Sequence, residues 1–526
     1  MNKFLLLSIL ALCLGCGSSK DDSQPLDTPT GLSLRQTGDD TVILDWTAVS
    51  GAARYYVFRR SDGESGQDKP VAQVTVPTYT FTGLKGGLTY TFGVQAEGHG
   101  GTLSKIAFSE SLFIPDRGKM PVIEQVFTSY AYAAVTWKVS QLPSDDAPHG
   151  LCLRSGHVPT VADICLDGPA ISAGKSLLQV VPNAVLEAGK TYQVRAWVKD
   201  GTDVHYSEVS TVTLPDAPAP VSLEWKEIAS PATGIRIFET TSPLNGRPFH
   251  AWYALADCTG DVELRVLNPA SAQTLEQQAA AAGDCYVLIN GGIFGTKHIG
   301  VVVSDGTPQP WRDEVDGTYW AYDKKRYPLT RGFFGVDAAG KPRCGWVSAP
   351  SAGSIFYYDR PLPTVMGEAT YPLASATRPG TIMNWTPRQA ISTGPLVLYE
   401  GKCTTDRKKT ASGYFYSNYD IWPTDVYDGH PDRTAVGCTA DGKVVLFVCD
   451  GRLARESQGA YLEEVALVMK GIGCVSALNL DGGGSTAMVA GGQRLNSKEE
   501  DGRSPYNRPV MSCIGFFKKD RIIKTN

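Results

Sequence analysis

Val475-Ser476-Ala477-Leu478-Asn479-Leu480-Asp481-Gly482-Gly483-Gly484-Ser485-Thr486-Ala487-Met488 is the stretch on which the reading of this chain turns. An apolar strand ends in a carboxylate, Asp481, and three glycines follow before Ser485 and Thr486. Glycine lets backbone approach a partner closely, and polar groups at strand ends are where binding and catalysis concentrate. Two other segments share this build. Tyr286-Val287-Leu288-Ile289 runs into Asn290-Gly291-Gly292, and Asp432-Arg433-Thr434-Ala435-Val436-Gly437 is followed by the apolar run 444–448 and Asp450-Gly451-Arg452.

These residue types suit an anionic sugar ligand. Backbone N–H groups of Gly482, Gly483 and Gly484, with Ser485 and Thr486 beyond, are placed to form an anion-binding nest. Arg433, Arg452 and Arg508 offer bidentate donors to a phosphate, with Thr434 beside the first. Asp450 and Asp481 are a carboxylate pair of the kind that acid/base or nucleophilic work on a sugar requires, with Asp481 the main one. Asn290 and Asn479 stand to bind hydroxyls or to orient the carboxylate. His298 and His430 compete for the acid/base role. Singly, each motif is also what a tight turn or hairpin end looks like, and the glycine run lacks the Lys-Ser/Thr of a P-loop.

Around these turns the pattern mixes strands with helices. Residues 270–282 are rich in helix formers, and 461–470 carries apolar residues at 462, 465, 466 and 469, a helical period with Gly471 as its C-cap. The region 221–526 therefore reads as an α+β domain. The Pro-rich run 214–220 marks its start.

Upstream, short alternating segments separated by turn residues read as all-β sandwiches. Leu84-Lys85-Gly86-Gly87-Leu88-Thr89-Tyr90 matches Leu186-Glu187-Ala188-Gly189-Lys190-Thr191-Tyr192 at Leu, Gly, Thr and Tyr, and Trp46 has its counterpart in Trp137. This resembles the fibronectin type III fold, in which the Trp is core and the corner Tyr closes one end of it while its hydroxyl satisfies a backbone group. Two such modules are expected, at 31–116 and 117–216, spacing the C-terminal part from a membrane.

The start of the chain points to that membrane. Lys3 precedes an apolar run, Phe4 to Leu14, too short for the ~20 residues that span a bilayer and suited to a secretory signal. Leu14-Gly15-Cys16 resembles a bacterial lipobox, with 1–15 removed, Cys16 lipidated and 16–30 a tether. Lys20-Asp21-Asp22 resembles the tag that exports Bacteroidetes lipoproteins to the cell surface, so the expected location is the outer membrane, facing outward. Of 12 Cys, ten remain after this processing, enough for a few disulfides in an oxidising space; Cys152/Cys165 and Cys258/Cys285 are plausible local pairs. A net charge of -5 with mixed signs gives no footprint for nucleic acid.

Taken in order, Asn290-Gly291-Gly292-Ile293-Phe294, Ser392-Thr393-Gly394-Pro395-Leu396-Val397, Arg433-Thr434-Ala435-Val436-Gly437, Asp450-Gly451-Arg452, Leu478 to Thr486 and Arg508-Pro509-Val510 resemble the phosphodiester glycosidase family. The resemblance is close over 280–517, looser over 222–280, and leaves 305–390 without a firm counterpart. It implies a multidomain hydrolase, two fibronectin type III-like sandwiches followed by an α+β catalytic domain, that cleaves the glycosidic bond of a sugar-1-phosphodiester in a glycan. Two other classes fit the residues less well: a non-catalytic glycan-binding surface lipoprotein, and a hydrolase of uncharged glycosides, where the arginines would be idle. No metal is required, although Asp pairs of this kind can hold Ca2+.

Overall fold

The computed structural model describes residues 26–62, 69–116, 118–168, 173–183, 185–310, 331–351, 354–359, 383–406, 415–417, 420–422, 429–453, 455–497 and 507–519. Cys16 and the rest of the expected signal lie outside the described residues. The chain divides into two compact units, Met1–Gly118 and Lys119–Asn526.

In the first unit, strands Ser33–Gln36, Val42–Asp45 and Thr78–Phe81 form one antiparallel sheet. Pro70–Val74, Ala52–Ser61, Leu88–Gly98, Ala107–Phe108 and Leu112–Ile114 form the other. Both sheets contribute to one core around Trp46, Tyr55, Phe92 and Val94. The corner expected from sequence is present: the Tyr90 hydroxyl accepts the Lys85 N–H at 2.9 Å and donates to the Lys85 carbonyl at 3.3 Å.

The second unit opens with another pair of antiparallel sheets around Trp137, Leu151, Val194 and Tyr192. Its corner repeats the first, with the Tyr192 hydroxyl accepting the Glu187 N–H at 3.3 Å. These strands dock on the rest of the unit. Tyr130 Oη donates to the Thr405 carbonyl at 2.8 Å, and Asn183 Nδ2 to the Cys403 carbonyl at 2.7 Å. Cys403 belongs to Lys402–Cys403, the last strand of the main sheet. The second module thus covers a sheet edge that would otherwise expose unpaired groups.

The rest of the unit is built mainly from strands. An eight-stranded antiparallel sheet has the order Lys226–Ile228, Ile235–Thr240, Ala251–Ala256, Val444–Cys449, Arg433–Thr439, Cys474–Asn479, Leu396–Tyr399, Lys402–Cys403. One face packs against a five-stranded sheet containing Cys285–Asn290 and a six-stranded sheet containing Gln389–Ser392, through Trp252, Ile289, Phe334, Trp346, Leu446 and Leu478. Its other face is covered by helix Leu462–Ile472, which buries Leu462, Val465, Ala466 and Met469 at the spacing read from the sequence. Gly471 does not cap that helix. The cap is Gly473, in the left-handed region at φ 108, while a Cβ on Gly471 would lie 1.9 Å from the Val221 carbonyl, so a close chain crossing selects that glycine. The helix expected at 270–282 begins only at Leu275, because Thr274 and Gln277 form a reciprocal capping box that fixes its start.

The ten described cysteines are unbridged in the structure. Cys258 packs in the core between the sheets and Cys285 in the cluster under helix Leu275–Ala282, which separates that expected pair.

Candidate active site

Antiparallel register gathers the three glycine-rich segments at one end of the main sheet. Arg433 pairs with Cys449 and Ala435 with Asn479. The residues just beyond these strand ends, Asp432, Asp450 and Asp481, therefore emerge side by side, and Asn290 ends the neighbouring strand of the second sheet.

Asn290 is fully buried and locks the assembly. Its Nδ2 donates to the Asp481 carbonyl at 2.7 Å, and its Oδ1 accepts the Thr434 hydroxyl at 2.6 Å and the Ala487 N–H at 3.2 Å. The Thr434 hydroxyl also lies 3.3 Å from that of Thr486. Asn290 and Thr434 thus position the Asp481 turn; a substrate hydroxyl has no access to the buried amide. Gly291 and Gly292 are glycines for packing: a Cβ would meet Ser512 Oγ at 2.2 Å in the first and His298 Cε1 at 2.5 Å in the second. His298 is equally internal. Its Nε2 lies 2.8 Å from the Ser392 carbonyl, which can only accept, so Nδ1 is the acceptor for the Ser512 hydroxyl at 2.8 Å. Burial pulls its pKa down to about 4, so the ring is a neutral strut and not the acid/base group. His430 places Nδ1 on the Gln458 carbonyl and packs edge-on to Tyr461.

The triglycine turn spends most of its donors on itself. Gly482 N–H goes to the Asp481 carboxylate at 3.0 Å and Gly483 N–H to the Asp432 carbonyl at 2.9 Å. Ser485 and Thr486 N–H go to the carbonyls of Gly482 and Gly483. Among the described residues the Gly482 and Gly483 N–H groups thus hold the two carboxylate residues in place, while that of Gly484 takes no part in these bonds. Arg433 is likewise internal, with Nε on the Ala460 carbonyl at 3.0 Å and Nη2 on the Gly429 carbonyl at 2.8 Å. It shapes the loop before Asp432. Asn479 is buried, with Nδ2 on the Leu480 carbonyl at 2.7 Å.

Two arginines flank the turn from its open side. Arg452 is exposed, holds a left-handed backbone at φ 59, and lays its guanidinium over Gly483, 3.3 Å from where a Cβ would stand. Arg508 Nη1 reaches Ser485 Oγ at 3.2 Å.

The carboxylates differ in ways sequence does not display. Asp481 is half-buried. Burial pushes its pKa up to about 6, opposed by hydrogen bonds from Ser485 and the Gly482 N–H and by nearby Arg508. Asp450 is buried and also raised by burial, while the Ser497 N–H, at 3.1 Å from both oxygens, and Asn496 Nδ2, at 3.2 Å, favour its charge. Asp432 is the residue that sequence reasoning passes over. It is 5% exposed, and burial, with Asp450 beside it, pushes its pKa up to about 7 although the N–H groups of Asp432 and Gly451 favour the charged form. Its Oδ2 is buried with no hydrogen-bond partner among the described residues. A signal was present: two Asp flanking a hairpin of matched strands face each other. Arg494 is a second omission. Its Nη2 binds the Thr486 and Ser497 carbonyls at 2.8 and 3.0 Å, bringing a buried guanidinium close to Asp450 and Asp432.

Mouse N-acetylglucosamine-1-phosphodiester alpha-N-acetylglucosaminidase is 43% identical over 60 residues, 11% of each chain. A Delftia acidovorans poly(3-hydroxybutyrate) depolymerase is 34% identical over 80 residues, 15% of each chain. The chain therefore spans only 11% to 15% of the length of these curated relatives. The solved catalytic domain of the zebrafish N-acetylglucosamine-1-phosphodiester alpha-N-acetylglucosaminidase shares 20% identity at a TM-score of 0.36, covering 57% of this chain and 89% of its own. Residues 27–110 match the fibronectin type III domain. Residues 347–517 match the phosphodiester glycosidase family, beginning inside the stretch 305–390 that sequence motifs leave unassigned. The chain is thus a multidomain protein that carries a fibronectin type III domain near its N-terminus and a phosphodiester glycosidase family domain in its C-terminal part.

Proposed function

We propose that the protein is a hydrolase that cleaves the glycosidic bond of a sugar-1-phosphodiester in a glycan or glycoconjugate. The observation that carries this reading is the convergence of Asp432, Asp450 and Asp481 at one turn with Arg452 and Arg508 on its open side. In the reaction the C1–O bond breaks and its electron pair stays on the phosphate oxygen. Arg452, Arg508 and the Gly484 N–H hold the phosphoryl oxygens, stabilising the charge that grows there. Asp432, whose protonated form is favoured by burial, supplies the proton to the leaving oxygen through one water, since its Oδ2 is buried. Asp481, ionised at neutral pH, faces the positive charge that develops on the sugar ring, and water supplies the hydroxyl to C1 while its other proton passes to solvent, from which Asp432 is reprotonated. Asp450 anchors Asn496 and Ser497 and adds its charge to the burial that favours the protonated form of Asp432. Purified protein offered a sugar-1-phosphodiester beside the matching p-nitrophenyl glycoside should turn over the first; turnover of only the uncharged compound would sink the reading, and turnover of neither would favour a binding protein.

The second sandwich is read as a further fibronectin type III module and the C-terminal region as an α+β catalytic domain. The lipobox-like Cys16 supports an outer-membrane lipoprotein displayed on the cell surface. Replacing it, Cys16→Ser, should move the protein from the membrane to the soluble fraction; unchanged membrane association would remove the anchor from the account.

A further inference from the structure

Strands His149–Arg154 and Ile164–Asp167 of the second module are antiparallel neighbours, and their register sets Cys152 directly opposite Cys165. The Gly168 N–H binds the His149 carbonyl at 2.7 Å, which makes His149 and Gly168 a hydrogen-bonded pair of positions. Pairs alternate along an antiparallel ladder, so Leu151 and Leu166 are again hydrogen-bonded and Cys152 and Cys165 are not. At a non-hydrogen-bonded pair the Cα atoms stand ~4.5 Å apart and the side chains approach most closely. That separation falls within the range of roughly 4.4–6.8 Å that a disulfide spans.

Cys152 is fully buried and Cys165 half-buried, and neither belongs to the cluster around Trp137. Leu151 and Leu153, the neighbours of Cys152, point into it, so Cys152 lies on the opposite face with Arg195, its partner on the next strand. Cys165 is partly exposed, whereas Cys449 and Cys513 are fully buried.

We infer that Cys152 and Cys165 form a cross-strand disulfide when the protein folds in an oxidising medium. The co-reactant is a small or protein disulfide. The Cys165 thiolate attacks one of its sulfurs, forming a mixed disulfide and releasing one thiolate. Cys152 then gives up its proton and attacks the Cys165 sulfur, releasing the second. Two protein thiols are oxidised and one external disulfide is reduced to two thiols. The bond fastens Ile164–Asp167, the outermost strand of its sheet. In the folded state burial pushes Cys165 up to about 11 and Cys152 up to about 12, so thiolate is scarce and the exchange belongs to folding.

The test uses the full chain refolded with oxidised and reduced glutathione, alkylated under denaturing conditions, digested without reduction and mapped by mass spectrometry. The expected result is one linked peptide pair joining Cys152 to Cys165, lighter by two hydrogens than the two thiol peptides and lost on reduction. The Cys152→Ser chain should instead show Cys165 alkylated or glutathionylated. Alkylation of both Cys152 and Cys165 in the oxidised, folded parent chain would overturn the inference, as would linkage of either to another cysteine.

Discussion

Asp432→Asn lowers kcat on a sugar-1-phosphodiester by about a hundred- to ten-thousand-fold, the contribution of a positioned general acid, with KM little changed. Asn keeps the volume and can occupy the same buried position, but it has no proton to give. Activity within a few-fold of the parent would remove Asp432 from the mechanism. The same substitution has a stability signature that a bystander would lack. Asp432 holds its proton in the folded state up to about pH 7, and in the unfolded chain only to ~3.9. Across that window the folded protein binds more protons than the unfolded one, so this residue makes stability fall as pH rises from ~4 through ~7. Asn does not titrate. The variant should therefore gain on the parent as pH rises, by at most about 4 kcal/mol at about 1.4 kcal/mol per decade of proton affinity. Melting curves across pH measure this; a gap that does not change with pH would contradict the buried, protonated acid.

The pH profile of kcat/KM should be a narrow bell. Asp481 must be ionised, which sets the acid limb near pH 6, and Asp432 must be protonated, which sets the alkaline limb near pH 7. In Asp432→Asn the residual activity should keep the acid limb and lose the alkaline one. A plateau running well above neutral pH in the parent would mean that the proton comes from elsewhere.

Much of this was legible in the residues. Period-two alternation and the Leu-x(5)-Tyr corner are local signals, and Tyr90 and Tyr192 both close their corners as expected. Asp450, Asp481, Arg452 and Arg508 were visible because glycine turns mark strand ends. What sequence misjudged was how polar groups are spent. Asn290, Arg433, His298 and most of the triglycine N–H groups bond to the protein itself, because a buried turn must satisfy its own donors before it can serve a ligand. Asp432 escaped notice for the converse reason. Its distinctive property, a carboxyl kept neutral, comes from burial beside Asp450 and exists only once the hairpin has folded.

The proposed reaction breaks the bond between sugar and oxygen, with Asp432 and Asp481 acting on the two sides of it. Hydrolysis of a sugar-1-phosphodiester in water labelled with heavy oxygen tests it most directly. The expected label is on the anomeric hydroxyl of the released sugar, with none on the phosphate monoester. Label on the phosphate would show phosphorus–oxygen cleavage and contradict it.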